Sequence, residues 1–165
     1  LIKDGQIIFV DGGTTAVQLV RSLPAALRAT IVTHSARIAI ELVDHPHVEV
    51  ILIGGRLFKH SIVSVGAVAL EAIGHIRADI YFMGVTGIHP DERLSTGDLE
   101  EAYVKQAFCK RAAETYVLAS QEKLGTASPY MVVALTEVSG LVVDHSVSEE
   151  ILAPYRALGL NIIQA

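Results

Sequence analysis

The chain has 165 residues, of which 51% are hydrophobic and 19% charged, and its formal net charge is −5. This composition predicts one domain, residues 1–165, that buries roughly 70% of its unfolded surface, and it argues against intrinsic disorder. No apolar run approaches the ~18 residues of a membrane-spanning helix and no signal peptide is recognisable, so we expect no membrane partner. The 13 basic residues are scattered, which indicates that this part of the protein does not itself bind nucleic acid.

The cysteine and histidine residues indicate which cellular redox environment and which metal sites the sequence is compatible with. Cys109 is alone, so an intrachain disulfide and a cysteine metal cluster are excluded and a reducing cytoplasm is expected. Cys109 itself is expected in the core. Of the seven histidines, only His45 and His47 are close, and a surface loop explains them better than a metal site does. We expect neither a metal nor a cofactor. The start at Leu1 suggests that an N-terminal part is missing.

The first strand-to-helix turn carries the strongest local signal. The apolar run Ile7–Val10 predicts a buried strand, and Asp11-Gly12-Gly13 allows a sharp turn. Thr14 or Thr15 then occupies the N-cap position of a helix over 15–23. Free N–H groups at such a helix start suit an anion, foremost a phosphate. An ordinary turn with a threonine cap and no ligand is the alternative.

The rest of the chain alternates between strand and helix patterns. Ser35 is a predicted helix cap, and the helix at 98–114 has acidic residues in its first turn and basic residues near its end, which suits the helix dipole. We predict further strands at 30–33, 48–53, 79–83, 115–119, 132–135, 140–143 and 160–163, helices at 36–43, 64–76, 98–114 and 149–158, and loops at 56–64 and 88–97.

This alternation predicts an α/β fold with a mainly parallel sheet flanked by helices. Ligands of such sheets bind beyond the carboxyl ends of the strands. The glycine-rich and polar turns follow predicted strands at 11–15, 33–35, 54–56, 84–87 and 120–125. The sequence therefore predicts a ligand site at one edge of the sheet.

Six short motifs occur in the order of a known family: Asp11-Gly12-Gly13-Thr14-Thr15, Thr33-His34-Ser35, Ile53-Gly54-Gly55, Gly84-Val85-Thr86-Gly87-Ile88, Glu101–Lys105 and Lys123-Leu124-Gly125. The chain thereby resembles the C-terminal effector-sensing domain of DeoR-family bacterial transcriptional repressors over nearly all of its length. The resemblance implies a fold of the ribose-5-phosphate isomerase and CoA-transferase type, a phosphorylated sugar as effector, and a homo-oligomer. It also implies that operator DNA is bound by an N-terminal winged helix-turn-helix outside this sequence.

The resemblance also implies roles for individual residues. The phosphate would lie on the first turn, with the second motif as another wall, glycines approaching the sugar, and charged residues binding hydroxyls or phosphate. The implied ligand-binding residues are Asp11, Gly12, Gly13, Thr14, Thr15, Thr33, His34, Ser35, Gly54, Gly55, Arg56, Gly84, Thr86, Gly87, Glu101, Lys105 and Lys123.

The chain departs from the family pattern in two motifs. His34 replaces the usual asparagine, and Ser120-Gln121-Glu122 replaces an aspartate and a serine before Lys123. The sugar pocket is therefore expected to differ from those of better-known members.

Several of these residues have plainer interpretations. Glu101 and Lys105 are four apart on a helix, so they could form a surface pair that contributes a few tenths of a kcal/mol. His34, Arg56 and Lys123 could each face solvent.

Other functions are less consistent with the sequence. A related isomerase would need a carboxylate base, yet the segment 83–88 contains none, which leaves Glu101 as the candidate. The Gly-x-Gly-x-x-Gly pattern of dinucleotide-binding domains is absent after the first strand. A pure structural or oligomerisation module, which would show no ligand response, is a further alternative. We therefore expect a non-enzymatic sensor whose loops at 56–64 and 88–97 order over the ligand.

Overall fold

A computed structural model describes residues 1–91 and 93–165 of the chain. Helices and strands alternate along it. The helices are α1 (Thr14–Arg21), α2 (Ala36–Leu42), α3 (Ala67–Gly74), α4 (Leu99–Arg111) and α5 (Glu149–Ala157). The strands are β1 (Ile7–Val10), β2 (Ala29–Thr33), β3 (Val48–Leu52), β4 (Arg56–Phe58), β5 (Val63–Val65), β6 (Ala78–Gly84), β7 (Gly87–Ile88), β8 (Leu94–Thr96), β9 (Ala112–Ala119), β10 (Tyr130–Met131), β11 (Gly140–Val143) and β12 (Asn161–Gln164).

The main sheet has the strand order β12-β11-β9-β6-β1-β2-β3. Every adjacent pair in it is parallel, and β1 lies centrally, with Ile8 opposite both Ile31 of β2 and Ile80 of β6. The predicted α/β class and the mainly parallel sheet are confirmed. The predicted turns that follow β1, β2, β3, β6 and β9 therefore share the carboxyl edge.

Helices cover both faces of the central strands, which explains why β1 is apolar throughout. Ile8 and Val10 pack against α1 and α2 through residues such as Val17 and Ile38. Phe9 points to the opposite face, where it contacts Phe108 of α4 at a ring-centroid distance of 4.8 Å. Asp11 directly follows Val10, so it lies buried at the carboxyl end of β1, between the two apolar layers.

The N-termini of α1 and α2, which both lie at the carboxyl edge of the sheet, are capped differently. Ser35 caps α2 as predicted, because its Oγ accepts a hydrogen bond from the Ile38 N–H at 3.3 Å. The predicted threonine cap of α1 is wrong: Gly13 is the N-cap residue, with φ 103° and no side-chain cap. The first N–H groups of α1 are therefore left for water or a ligand.

The region after β3 differs most from the sequence-based prediction. Residues predicted as a loop over 56–64 form an antiparallel hairpin, β4–β5, and the helix predicted from Ser64 begins at Ala67. Val63 and Val65 are buried on one side of β5 with Ser64 between them. Val65 lies within the helix predicted at 64–76, but this alternation of buried and partly exposed residues is that of a strand.

The small sheet beside α4 accounts for the other differences. β8 lies inside the predicted loop at 88–97 and pairs with β7 and β10; Glu92 of that loop lies outside the described residues. The strand predicted at 132–135 is wrong, because the nearby strand is β10, although Val132 and Val133 are buried. None of the described helices is long and apolar enough to cross a membrane.

Candidate functional site

A cavity of about 260 Å³ lies at the carboxyl edge of the main sheet. The turn after β1 and the start of α1 form one wall, the tip of the β4–β5 hairpin a second, and the inner side of α4 a third. Its lining residues are Asp11, Gly12, Gly13, Thr14, Arg37, His60, Ser61, Ile62, Val63, Gly84, Val85, Thr86, Thr96, Glu101, Lys105 and Lys123.

Asp11 is the centre of a buried hydrogen-bond network. Among the described residues, its Oδ1 accepts from the Gly12 N–H and from His34 Nε2, both at 2.8 Å. Its Oδ2 accepts from Tyr81 Oη at 2.8 Å, the Gly84 N–H at 3.0 Å and Lys105 Nζ at 2.7 Å. These donors occupy the acceptor positions of a carboxylate. Asp11 therefore holds the floor of the cavity together and has little capacity left for a ligand.

The charges around Asp11 set its ionisation state. Burial raises the pKa of Asp11, but the Lys105 ammonium and the His34 ring outweigh burial and hold the pKa far below its usual range. Burial and the negative charge of Asp11 together raise the pKa of the Tyr81 hydroxyl well above its ordinary value. Asp11 is thus a carboxylate at any physiological pH, and Tyr81 is its neutral donor.

His34 bridges the turn after β2 to the hairpin. Its Nδ1 lies 3.0 Å from the Ser64 carbonyl oxygen and its Nε2 lies 2.8 Å from Asp11 Oδ1. Both partners only accept hydrogen bonds, so the geometry fits a ring that donates from both nitrogens. His34 is fully buried. The alternative in which it faces solvent is wrong, and the structure places it behind the cavity wall.

Glu101 and Lys105 both point inward from α4, with exposed fractions of 8% and 4%. The surface-pair interpretation is therefore wrong. Lys105 pairs with Asp11, whereas Glu101 Oε2 accepts a hydrogen bond from Ser61 Oγ of the hairpin at 3.2 Å. Burial raises the pKa of Glu101, although the charge of Lys105 opposes this. Glu101 thus presents a carboxyl group whose proton affinity is increased.

Lys123 lies on a 3₁₀ turn, Gln121–Lys123, beyond β9. It is half-buried, and within the described residues no carboxylate lies within ion-pairing distance of it. Burial lowers the pKa of its ammonium, partly offset by the negative charge of Glu122. A partly buried ammonium in this position would be stabilised by a charge-assisted hydrogen bond to an anionic ligand.

Gly12 shows why this turn requires glycine. A Cβ on Gly12 would lie 2.8 Å from Cγ1 of Val63 in the hairpin. That contact is closer than packed carbons tolerate. The absence of a side chain therefore lets the hairpin lie directly over the turn after β1.

The structure brings part of the predicted set into the cavity lining and leaves part outside it. The predicted residues that line the cavity are Asp11, Gly12, Gly13, Thr14, Gly84, Thr86, Glu101, Lys105 and Lys123, and those that do not are Thr15, Thr33, His34, Ser35, Gly54, Gly55, Arg56 and Gly87.

The predicted residues outside the lining have visible structural contacts. Thr33 Oγ1 accepts from the Ser35 N–H at 3.1 Å, and a Cβ on Gly55 or Gly87 would collide with neighbouring backbone. Arg56 is exposed on β4. Any contact of these residues with a ligand stays a prediction.

Several lining residues were not predicted from the sequence. Arg37 lies in the first turn of α2, where a basic side chain is unfavourable for the helix dipole. That mismatch could have indicated from the sequence that Arg37 has a role in the site. His60, Ser61 and Ile62 come from the hairpin tip, where Ile62 has φ 56°, an uncommon value for a β-branched residue. No local pattern predicts that this tip folds over the turn after β1.

Comparison with known proteins gives consistent matches. A family profile described as the DeoR C terminal sensor domain matches residues 1–145. The chain is 28% identical over 162 residues to the HTH-type transcriptional regulator GolR of Listeria innocua, which covers 98% of this chain and 64% of GolR. It is 28% identical over 162 residues to the regulator GlpR of Haloferax volcanii, covering 98% of this chain and 63% of GlpR.

A third relative is named as a repressor. The HTH-type transcriptional repressor GlcR of Bacillus subtilis is 30% identical over 144 residues, which cover 87% of this chain and 55% of GlcR. The chain spans less than two thirds of the length of these curated relatives.

Proposed function

Because the chain belongs to the DeoR family through its C-terminal sensor domain, we propose that its cavity binds a phosphorylated sugar or a similar metabolite. Binding of this effector controls the affinity of the full-length regulator for operator DNA, which an N-terminal domain outside this sequence contacts. The names of the relatives, which are transcriptional regulators or repressors, support a regulatory rather than catalytic domain.

One observation carries the choice of a phosphorylated ligand. The α1 start without a side-chain cap and the Lys123 ammonium line the same cavity. A phosphate accepts hydrogen bonds from helix N–H groups and gains from a nearby cation. The negative charge of Asp11 is countered by the Lys105 ammonium at 2.7 Å, so it opposes this attraction only weakly.

The rest of the lining suits a small polyhydroxylated body. Ser61, Thr86, Thr96 and Glu101 supply hydroxyl and carboxyl groups to the cavity. Its volume of about 260 Å³ lies just below the roughly 300–1,000 Å³ of typical ligand pockets. That size favours a sugar phosphate over a dinucleotide.

A thermal-shift panel of phosphorylated sugars, each beside its unphosphorylated partner, tests the ligand class. An ester at a hundred times its Kd should stabilise the domain by about 2.7 kcal/mol, or roughly 5–11 °C. Lys123→Met should remove most of this shift, whereas Lys110→Met, at an exposed position outside the cavity, should retain it. Equal shifts from ester and free sugar would contradict the phosphate assignment.

The regulatory part of the proposal needs the full-length protein. A ligand alters DNA affinity only if it binds two arrangements of the protein with different affinity. The hairpin is the element that meets both the turn after β1 and Glu101, so we expect its tip to move when the cavity fills. Operator affinity measured with and without a saturating ester identified in the panel should differ; identical affinities would reject this coupling.

Glu101 supports a second candidate, a sugar-phosphate isomerase. A carboxyl group whose pKa is raised by burial and which faces the cavity could act as a general base. The turn after β6 offers no second carboxylate, which favours the sensor. An isomerase assay on ribose 5-phosphate distinguishes the two: turnover that Glu101→Gln abolishes would establish the enzyme.

A further inference from the structure

β3 ends the main sheet, and in the described residues no strand lies on its outer side. Natural edge strands are usually protected by lysine, proline, a bulge or a covering segment. The sequence of β3, Val-Glu-Val-Ile-Leu, has neither lysine nor proline, and β3 pairs with β2 in continuous register from Val48 to Leu52. Its one charged residue, Glu49, is not among the residues that line the groove described below, and its Oε2 accepts a hydrogen bond from Thr30 Oγ1 of β2 at 3.4 Å. The backbone edge of β3 is therefore a template for another strand.

An apolar groove lies beside this edge, between β3 and α2, with a volume of about 540 Å³. Large parts of its lining are open to solvent: Ile40 is 72% exposed, Val43 73% and Leu52 52%. The described residues that line the groove are Ala36, Ala39, Ile40, Leu42, Val43, Val48, Val50 and Leu52, all of them apolar. A contiguous exposed apolar surface marks an interaction site, and the lack of charge favours an equally uncharged partner surface.

The hydrogen bonds of β3 determine which backbone groups are free. The Ile53 N–H donates to the Thr33 carbonyl of β2 at 2.8 Å. Because backbone direction alternates along a strand, Glu49 and Ile51 also bond toward β2. The N–H and C=O groups of Val48, Val50 and Leu52 therefore point outward, away from the sheet.

These outward groups are self-complementary. In an antiparallel pair centred on Val50, Val50 would face itself and Val48 would face Leu52 of the other strand, each as a hydrogen-bonded pair. Glu49 would face Ile51, so the two glutamates would not oppose each other. The side chains of Val48, Val50 and Leu52 lie in the groove, so pairing would join the grooves of both molecules.

We propose that a second copy of this chain pairs through β3, antiparallel and centred on Val50, with the two α2 helices covering the joint. The arrangement is an isologous two-fold interface. Its backbone bonds extend the main sheet through both molecules, and its apolar contacts bury Ile40, Val43 and Leu52. This interface is independent of the cavity and of any ligand.

Sedimentation of the unliganded chain over a wide concentration range tests the partner. The chain should be a dimer, and Leu52→Lys should shift it toward monomer by placing a charge in the joined groove. Met131→Lys is the matched control, because Met131 is similarly exposed, at 45%, but lies on β10 of the three-stranded sheet and does not line the groove. A monomeric parent chain, or a dimer that Leu52→Lys leaves intact, would overturn the proposal.

Disulfide trapping tests the register without depending on affinity. In a Cys109→Ala background, Val50→Cys should form a cross-linked dimer on oxidation, because hydrogen-bonded pairs have Cα atoms about 5.5 Å apart, within disulfide range. Glu49→Cys or Ile51→Cys alone should cross-link weakly, whereas an equimolar mixture of the two should cross-link efficiently. Cross-linking by Ile51→Cys alone that exceeds Val50→Cys would overturn the register.

Discussion

The floor and the rim of the cavity contain similar polar residues in different states of hydrogen bonding. On the floor, Asp11, His34, Tyr81 and Lys105 are buried and bond to one another. On the rim, Lys123 is half-buried and has no carboxylate partner among the described residues. A polar residue in a family motif can therefore either hold the site together or be left free to contact the ligand. Its hydrogen-bond and ion-pair partners within the protein determine which role it has.

Asp11→Ala should have the largest effect on stability. It leaves Lys105 as a buried cation without its ion-pair partner and removes an acceptor from His34 and Tyr81. Breaking one side of a buried charge pair costs about 3–5 kcal/mol. Urea unfolding should show this loss, while Asp44→Ala, at an exposed position, should change the free energy of unfolding by less than about 0.5 kcal/mol. A small loss at Asp11 would show that the floor does not depend on its charges.

Acidification should remove the same stabilisation gradually. The folded pKa of Asp11 is far below the unfolded value of about 3.9. Its contribution is therefore complete above that unfolded value and is lost as pH falls below it. The free energy of unfolding should decline below about pH 4, and Asp11→Asn should make the decline shallower. A parallel decline in both proteins would assign the acid sensitivity to other carboxylates.

Glu101→Gln should change the free energy of unfolding by less than Asp11→Ala does, and in the opposite direction. Burial raises the folded pKa of Glu101, so its contribution is favourable below the unfolded pKa and is lost as pH rises through the folded one. A neutral amide avoids the cost of burying a charged carboxylate at neutral pH, and its oxygen can still accept a hydrogen bond from Ser61. The free energy of unfolding at neutral pH should rise slightly, with little change at acidic pH. Equal destabilisation at both pH values would instead point to a packing role.

Lys123→Met should change stability least, by less than about 1 kcal/mol, because a half-buried cation without a partner contributes little. The same variant should lose most of the thermal shift caused by a phosphate ester. Comparison with Asp11→Ala therefore separates the rim from the floor: one variant loses the ligand response and the other loses stability. A large loss of stability in Lys123→Met would place Lys123 with the floor.

Local patterns predicted much of the framework. The apolar run of β1, the Ser35 cap and the charge order of α4 each depend on residues within a few positions, and each is found in the structure. The β4–β5 hairpin was not predicted, since three-residue strands give too short an alternation to distinguish from a helical stripe. The threonine cap failed because Gly13, at φ 103°, starts the helix one residue earlier.

By itself, the sequence determined the α/β class, the order of the main-sheet strands and the α-helices along the chain, and the edge at which the polar turns gather, because these depend on short-range periodicity and turn chemistry. Only the tertiary structure decided which polar residues are already occupied. Lys105 reaches Asp11 across 94 positions of sequence, and His34 meets Ser64 across 30. Such partners meet only when helices and strands pack, and their hydrogen bonds separate the floor of the cavity from the groups left free on its rim.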